Sequence, residues 1–172
     1  VETLLLPDTE AGSDTRTRVE TLAETYSVPV TYVTDLTTLP LGHAEMTVYP
    51  PLGDGEESNE LGLSLRTDCG DFGLLITGDM DAATEERLVE TYGADGIDAL
   101  VAGHHGSKNA TSALLLEAAE PETAVISVGS NSYGHPSTEA LRRLSAAGVR
   151  ICRTDLQGTV RLSWNQGDDH GD

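Results

Sequence analysis

The sequence predicts an α/β fold, and three observations carry that reading. Between residues 72 and 147 an apolar run, a glycine-bearing loop and a helical stretch follow one another three times. Just before this, Leu61, Leu63 and Leu65 alternate with Gly62, Ser64 and Arg66, turn through Asp68-Cys69-Gly70-Asp71 and return over 72–77, as a hairpin does. Apolar residues make up 38% of the chain and are spread along it, enough for a packed core and against wholesale disorder.

Taken in order, residues 3–6 read as a short buried strand ended by Pro7. Residues 13–26 read as a helix, because Val19, Leu22, Ala23 and Tyr26 fall at i, i+3, i+4 and i+7. Residues 29–34 are β-rich. Ala44, Met46 and Val48 alternate until Pro50 and Pro51 stop the strand. Residues 53–60 form an acidic, turn-rich loop whose bland role is a solvated one. Strand 72–77 then leads through Gly78-Asp79 into helix 81–92. Strand 97–102 leads through 103–109 into helix 111–119, and strand 123–128 through 129–136 into helix 137–147, which Gly148 ends. Strands 149–153 and 159–163, joined by a turn over 155–158, close the fold. The length suits one domain, taken as residues 1–164 with a loose tail over 165–172.

Charge narrows the function. There are 10 Lys+Arg against 29 Asp+Glu, a net charge of -19, and Lys108 is the one lysine. Coating nucleic acid draws on clustered cations, so any phosphate chemistry is confined to a small site whose charge is locally reversed, most simply by metal ions. Cys69 and Cys152 are too few for a disulfide framework or a cysteine metal site. No apolar run approaches a membrane span and no signal peptide is visible. The chain opens at Val1 and enters a strand almost at once, which reads as a cut through a larger protein.

Right-handed crossovers make the successive strands parallel and bring the loops after them to one edge, where ligands bind. The first loop holds Asp79, the second His104, His105, Ser107 and Lys108, the third Asn131, Tyr133 and His135. One carboxylate and three imidazoles on a common rim suit metal-assisted phosphoester chemistry, with zinc or manganese as the ion. Bland readings stand beside these. Asp79 can cap helix 81–92, a role Asp81 also fits, and His135 can be a helix-entry residue before Pro136. His43 and His170 read as surface residues and Asp155 as a turn residue. No GxSxG elbow, GxxxxGK[ST] loop, HExxH or paired CxxC occurs.

In the segments Leu75-Ile76-Thr77-Gly78-Asp79, Val101-Ala102-Gly103-His104-His105-Gly106-Ser107-Lys108 and Asn131-Ser132-Tyr133-Gly134-His135-Pro136, followed by Arg153-Thr154-Asp155 and Gly158, the sequence resembles the metallo-β-lactamase-like domain of ComEC-type DNA-internalisation proteins. The resemblance covers residues 1 to about 164. It implies an αββα four-layer sandwich with one or two metal ions at its rim. Asp79 then matches the aspartate that bridges the metals, and His135 the late histidine ligand. His104 and His105 match a histidine pair near the scissile phosphate, either of them able to touch metal, with Lys108 beside them. Ser107, Asn131 and Tyr133 fall in the substrate-binding positions. Asn59 stands where many relatives carry another histidine ligand. The first metal motif, HxHxDH or a variant, is absent, so the sandwich is expected to be incomplete at its amino-terminal side. An isolated chain is then expected to bind metal weakly or not at all, to be inactive, and to associate with other copies through an exposed apolar sheet face. The function implied for the complete domain is a metal-dependent phosphodiesterase. It is a nuclease acting on single-stranded DNA, attached to the membrane channel of a DNA-uptake protein on the extracytoplasmic side. A stand-alone hydrolase of small phosphoesters and a non-catalytic interaction module are the alternatives.

Overall fold

The computed structural model describes residues 1–9, 12–53 and 61–164. The acidic loop over 54–60, with Asn59, and the tail over 165–172, with His170, lie outside the described residues. The architecture is a seven-stranded mixed sheet with helices on one face, together with a separate two-stranded parallel sheet near the amino terminus.

The amino-terminal unit is β1 (Leu4–Pro7), α1 (Asp14–Thr25) and β2 (Val30–Val33). The Ser13 hydroxyl caps α1 by accepting from Arg16 N at 3.0 Å. β1 and β2 pair in parallel, from Leu4 opposite Val30 to Pro7 opposite Val33. The apolar stripe of α1 is less buried than its spacing implies. Ala23 is buried, but Leu22 and Tyr26 are exposed and line an open groove with Val1, Leu4 and Val28.

The large sheet begins with β3 (Thr37–Leu41) and β4 (Ala44–Tyr49). β3 escapes a pattern reading because it carries Pro40, which a strand tolerates at the edge of a sheet, where β3 lies. β5 (Ser64–Cys69) and β6 (Phe72–Ile76) complete the antiparallel part as the expected hairpin. From β6 the sheet turns parallel. β6, α2 (Ala82–Tyr92), β7 (Ala99–Val101), α3 (Ala113–Ala119), β8 (Thr123–Ile126), α4 (Thr138–Ala146) and β9 (Arg150–Arg153) follow in chain order, and the strands lie side by side in that same order. Three right-handed crossovers stepping in one direction place all three helices on one face. That face is the core. Leu75, Leu100, Ala124 and Ile126 from the strands pack against Leu88, Leu115, Leu116 and Leu144 from the helices.

The opposite face carries Leu65, Leu74, Ile76, Val101 and Val125, side chains in register across β5 to β8, and all of them are half-buried. The expected closing hairpin is corrected. Residues 154–157 form a short helix, α5 (Thr154–Gln157), and the described residues of 159–163 join no strand. The Gln157 side chain accepts from Arg153 N at 2.7 Å, and Gly158 breaks the direction at φ +71. Beyond it the Trp164 side chain reaches the sheet. Trp164 stacks on Phe72, with ring centroids 5.4 Å apart and planes at 22°.

Candidate active site

The loops that follow β6, β7 and β8 meet at one rim of the sheet. His104 N donates to Gly78 O at 2.9 Å, joining the first loop to the second. Ser137 N donates to Gly106 O at 2.8 Å, and His105 Nδ1 lies 2.7 Å from Ser127 O, joining the second to the third. Ala82 N donates to Asn109 O at 2.8 Å, so the start of α2 is held by the second loop as well.

In the first loop the two aspartates divide their tasks. Asp81 is the N-cap of α2, accepting from Thr84 N at 2.9 Å. Asp79 is half-buried and left for the rim, close enough to His135 for its charge to act on that imidazole.

The second loop is wound tightly. His104 (φ 47°, ψ 48°) and His105 (φ 55°, ψ 26°) are consecutive left-handed residues, a conformation that costs a non-glycine residue about 1–3 kcal/mol. Glycines on either side make room. A Cβ on Gly103 would lie 3.0 Å from Thr77 Oγ1 and 3.1 Å from Ala110 Cβ. One on Gly106, which has φ +80, would lie 2.7 Å from Pro136 Cβ.

Two side chains from outside the loop hold it in this shape. Glu85, fully buried on α2, accepts from Thr111 N and Ser112 N, each at 2.7 Å. Arg143 on α4 donates to three loop carbonyls, those of Lys108, Ala110 and Thr111, at 2.9, 2.6 and 3.0 Å. Thr111 passes the hold forward through its hydroxyl, which accepts from Gly103 N at 3.0 Å. Burial pushes the Glu85 carboxyl above its ordinary value, against the lowering effect of its hydrogen bonds from Ser112 and Thr111 and of the Arg143 charge.

The third loop holds itself. Asn131 Nδ2 donates to Gly129 O and His135 O at 2.9 and 2.8 Å, while its Oδ1 accepts from Tyr133 N and His135 N, each at 3.1 Å. Thr154, from the start of α5, fixes the base of this loop. Its hydroxyl donates to Val128 O and accepts from Val128 N, each at 2.7 Å.

The result is a histidine cluster. The His104 and His135 rings are 5.5 Å apart, the His104 and His105 rings 6.3 Å, and Tyr133 lies nearly parallel to His135 at 6.2 Å and 18°. Burial, His104 and His105 hold the His135 imidazole below the ordinary histidine value, with Asp79 opposing them. His135 Nδ1 is buried and has no hydrogen-bond partner among the described residues. His105 is set differently. A carbonyl only accepts, so Nδ1 carries the proton given to Ser127 O, and Nε2 keeps its lone pair for the exposed side.

Asp79, His104, His105 and His135 are thus brought together as the spacing implies. Lys108 is exposed and enters the loop's framework through its carbonyl. Ser107 is buried, its hydroxyl accepting from Asn109 N at 3.3 Å. The hydrogen-bonding capacity of the Asn131 amide is taken up within its own loop, whereas Tyr133 is 83% exposed. Asp155 pairs with Arg153 at 2.6 Å, and His43 is exposed. Glu85 and Arg143 were not singled out by sequence reasoning, and Thr154 stood in a quoted segment without a role. The one available signal is that Glu85 falls on the apolar stripe of α2, three residues before Leu88.

The rim gathers donor types that could hold a metal ion. An unpartnered buried imidazole nitrogen, a nearby carboxylate and a second imidazole are donors that suit zinc or manganese. Among the described residues no group of three or more His, Cys, Asp or Glu converges to hold an ion.

No family model matches the chain. It is 42% identical over 105 residues to competence protein ComA of Neisseria gonorrhoeae, covering 60% of this chain and 15% of that protein. It is 32% identical over 116 residues to ComE operon protein 3 of Bacillus subtilis, covering 67% of this chain and 15% of that one. The chain therefore spans about 15% of the length of these relatives. Among solved structures it matches CmlA, a diiron β-hydroxylase from Streptomyces venezuelae, with a TM-score of 0.58 at 16% identity over 90% of this chain and 39% of that one. The sequence likenesses support a relationship to competence proteins, and the structural one shows a metallo-β-lactamase-like fold.

Proposed function

We propose that this chain contributes part of the active site of a metal-dependent phosphodiesterase, a nuclease that cuts single-stranded DNA within a DNA-uptake protein. The observation that carries the reading is the meeting of Asp79, His104, His105 and His135 at one rim, with His135 Nδ1 buried and unpartnered. The likeness to competence proteins supports DNA as the substrate. Asp79 and His135 hold the ion, zinc or manganese. When bound, such an ion offsets phosphate charge and makes a water more acidic. His105 presents Nε2 as a proton acceptor, its tautomer fixed by Ser127 O. His104 and Lys108 face the non-bridging phosphate oxygens. Ser107 and Asn131 shape the two loops under the substrate, and Tyr133 offers it an open surface.

Among the described residues no helix is long and apolar enough to cross a membrane. A membrane channel elsewhere in the same protein and an extracytoplasmic position for this domain belong to the same proposal. In the full-length protein, Asp79→Asn and His135→Ala are each expected to abolish manganese-dependent cleavage of single-stranded DNA. Undiminished turnover in both variants overturns the assigned roles.

A further inference from the structure

Beside the histidine cluster lies a cleft of about 370 Å³, lined by His105, Ser127, Ser130, Asn131, Tyr133 and His135 among others. We propose that it is a nucleobase subsite, in which an unpaired base stacks on Tyr133 while its phosphate reaches the histidines. This deepens the phosphodiesterase reading and rests on it.

Three observations carry the assignment. Tyr133 is 83% exposed, yet its backbone sits in a loop that is tied together. Its backbone N–H is tied to Asn131 Oδ1, whose amide also braces Gly129 and His135, so the ring stands on a preformed platform. Its plane is within 18° of the His135 ring at 6.2 Å, so a base laid on it continues a stack that ends at the cluster. Finally, among the described residues no carboxylate lines the cleft, in a chain with 29 Asp+Glu and a net charge of -19. An anion repelled by most of this surface meets imidazole, hydroxyl and amide groups here rather than carboxylates.

Stacking uses the face that every base has, so the subsite is expected to tolerate sequence but to require an unpaired strand. Besides Tyr133 and the two imidazoles, the described lining is hydroxyl, amide, backbone and the Val128 side chain, with no charged side chain among the described residues to read a base edge.

The test is binding of a short oligothymidylate to the full-length protein by fluorescence anisotropy, beside an abasic strand of the same length and phosphate count. Tyr133→Ala is expected to weaken the oligothymidylate by roughly tenfold. Tyr133→Phe, which keeps the ring and loses the hydroxyl, is expected to bind as the unaltered protein does. Neither change moves the abasic strand. Equal binding of oligothymidylate by Tyr133→Ala and the unaltered protein overturns the subsite, as does an equal loss in Tyr133→Phe. Cleavage separates this from the parent reading. Tyr133-dependent binding without cleavage of any strand in manganese keeps the subsite and removes the nuclease. Cleavage of both strands with no dependence on Tyr133 keeps the nuclease and removes the subsite.

Discussion

The two loops that bear the clustered histidines are built on opposite plans. The one carrying His104 and His105 is held from outside, by a buried carboxylate on α2 and a guanidinium on α4 that between them engage two of its N–H groups and three of its carbonyls. The one carrying His135 is held from within by a single exposed amide, with Thr154 at its base. The first plan couples the loop to the core, because its clamps ride on packed helices. The second keeps the loop's shape a local matter. A site of this kind has a fixed wall and a separately shaped one, and damage to the two should read out differently.

The largest effect is expected at the external clamp. Glu85→Ala strands one buried and one part-buried N–H group and leaves a hole, and should cost on the order of 3 kcal/mol in urea unfolding. Glu85→Gln keeps one acceptor and should cost less, with a pH signature. The folded chain holds the Glu85 proton more tightly than the unfolded one, so this group's contribution to stability falls as pH rises from the ordinary carboxylate value to the raised one. The Gln variant carries no such proton. The stability gap between the two proteins should therefore narrow as pH rises through that window, and a gap that widens contradicts the burial argument.

Next comes the seam between the loops. Gly106→Ala meets Pro136 at 2.7 Å and Ile126 Cγ2 at 3.2 Å in a left-handed conformation, and should cost about 1–3 kcal/mol. It should also shift the ring resonances of both His104 and His135 in NMR spectra, since it pushes the two walls apart. The smallest stability effect is expected for Asn131→Ala, about 1 kcal/mol or less because the site is solvated. Its NMR shift changes should stay within 127–137. Changes of equal size around His104 would show that the third loop is not self-contained.

Much of this was legible in the residues. The threefold strand–loop–helix rhythm fixed the parallel half of the sheet, and with it the rim where Asp79, His104, His105 and His135 meet. Spacing also named Asp79 and Asp81 as rivals for one cap, and hydrogen bonding settles it on Asp81. The clamps were not legible, for a physical reason. Glu85 and Thr111 are 26 residues apart, and Arg143 and Thr111 are 32 apart. Periodicity locates a polar residue on an apolar stripe but does not say which distant backbone it satisfies. Asn131 was readable as a loop residue, but whether its amide turns toward a ligand or into its own loop depends on backbone torsions that composition does not encode. The closing strand over 159–163 failed similarly. Alternation predicts which side chains reach a sheet, not whether the backbone joins its ladder.

The change from hairpins to crossovers at β6 has a practical corollary. The tight tips at Gly42-His43 and Gly70-Asp71 both sit toward the start of β6, the pole away from the cluster of His104, His105 and His135. A fluorophore, affinity handle or surface tether grafted at either tip would stand at the far end of the sheet from the clustered histidines, so the same molecule can be immobilised and probed there without the attachment standing in the way.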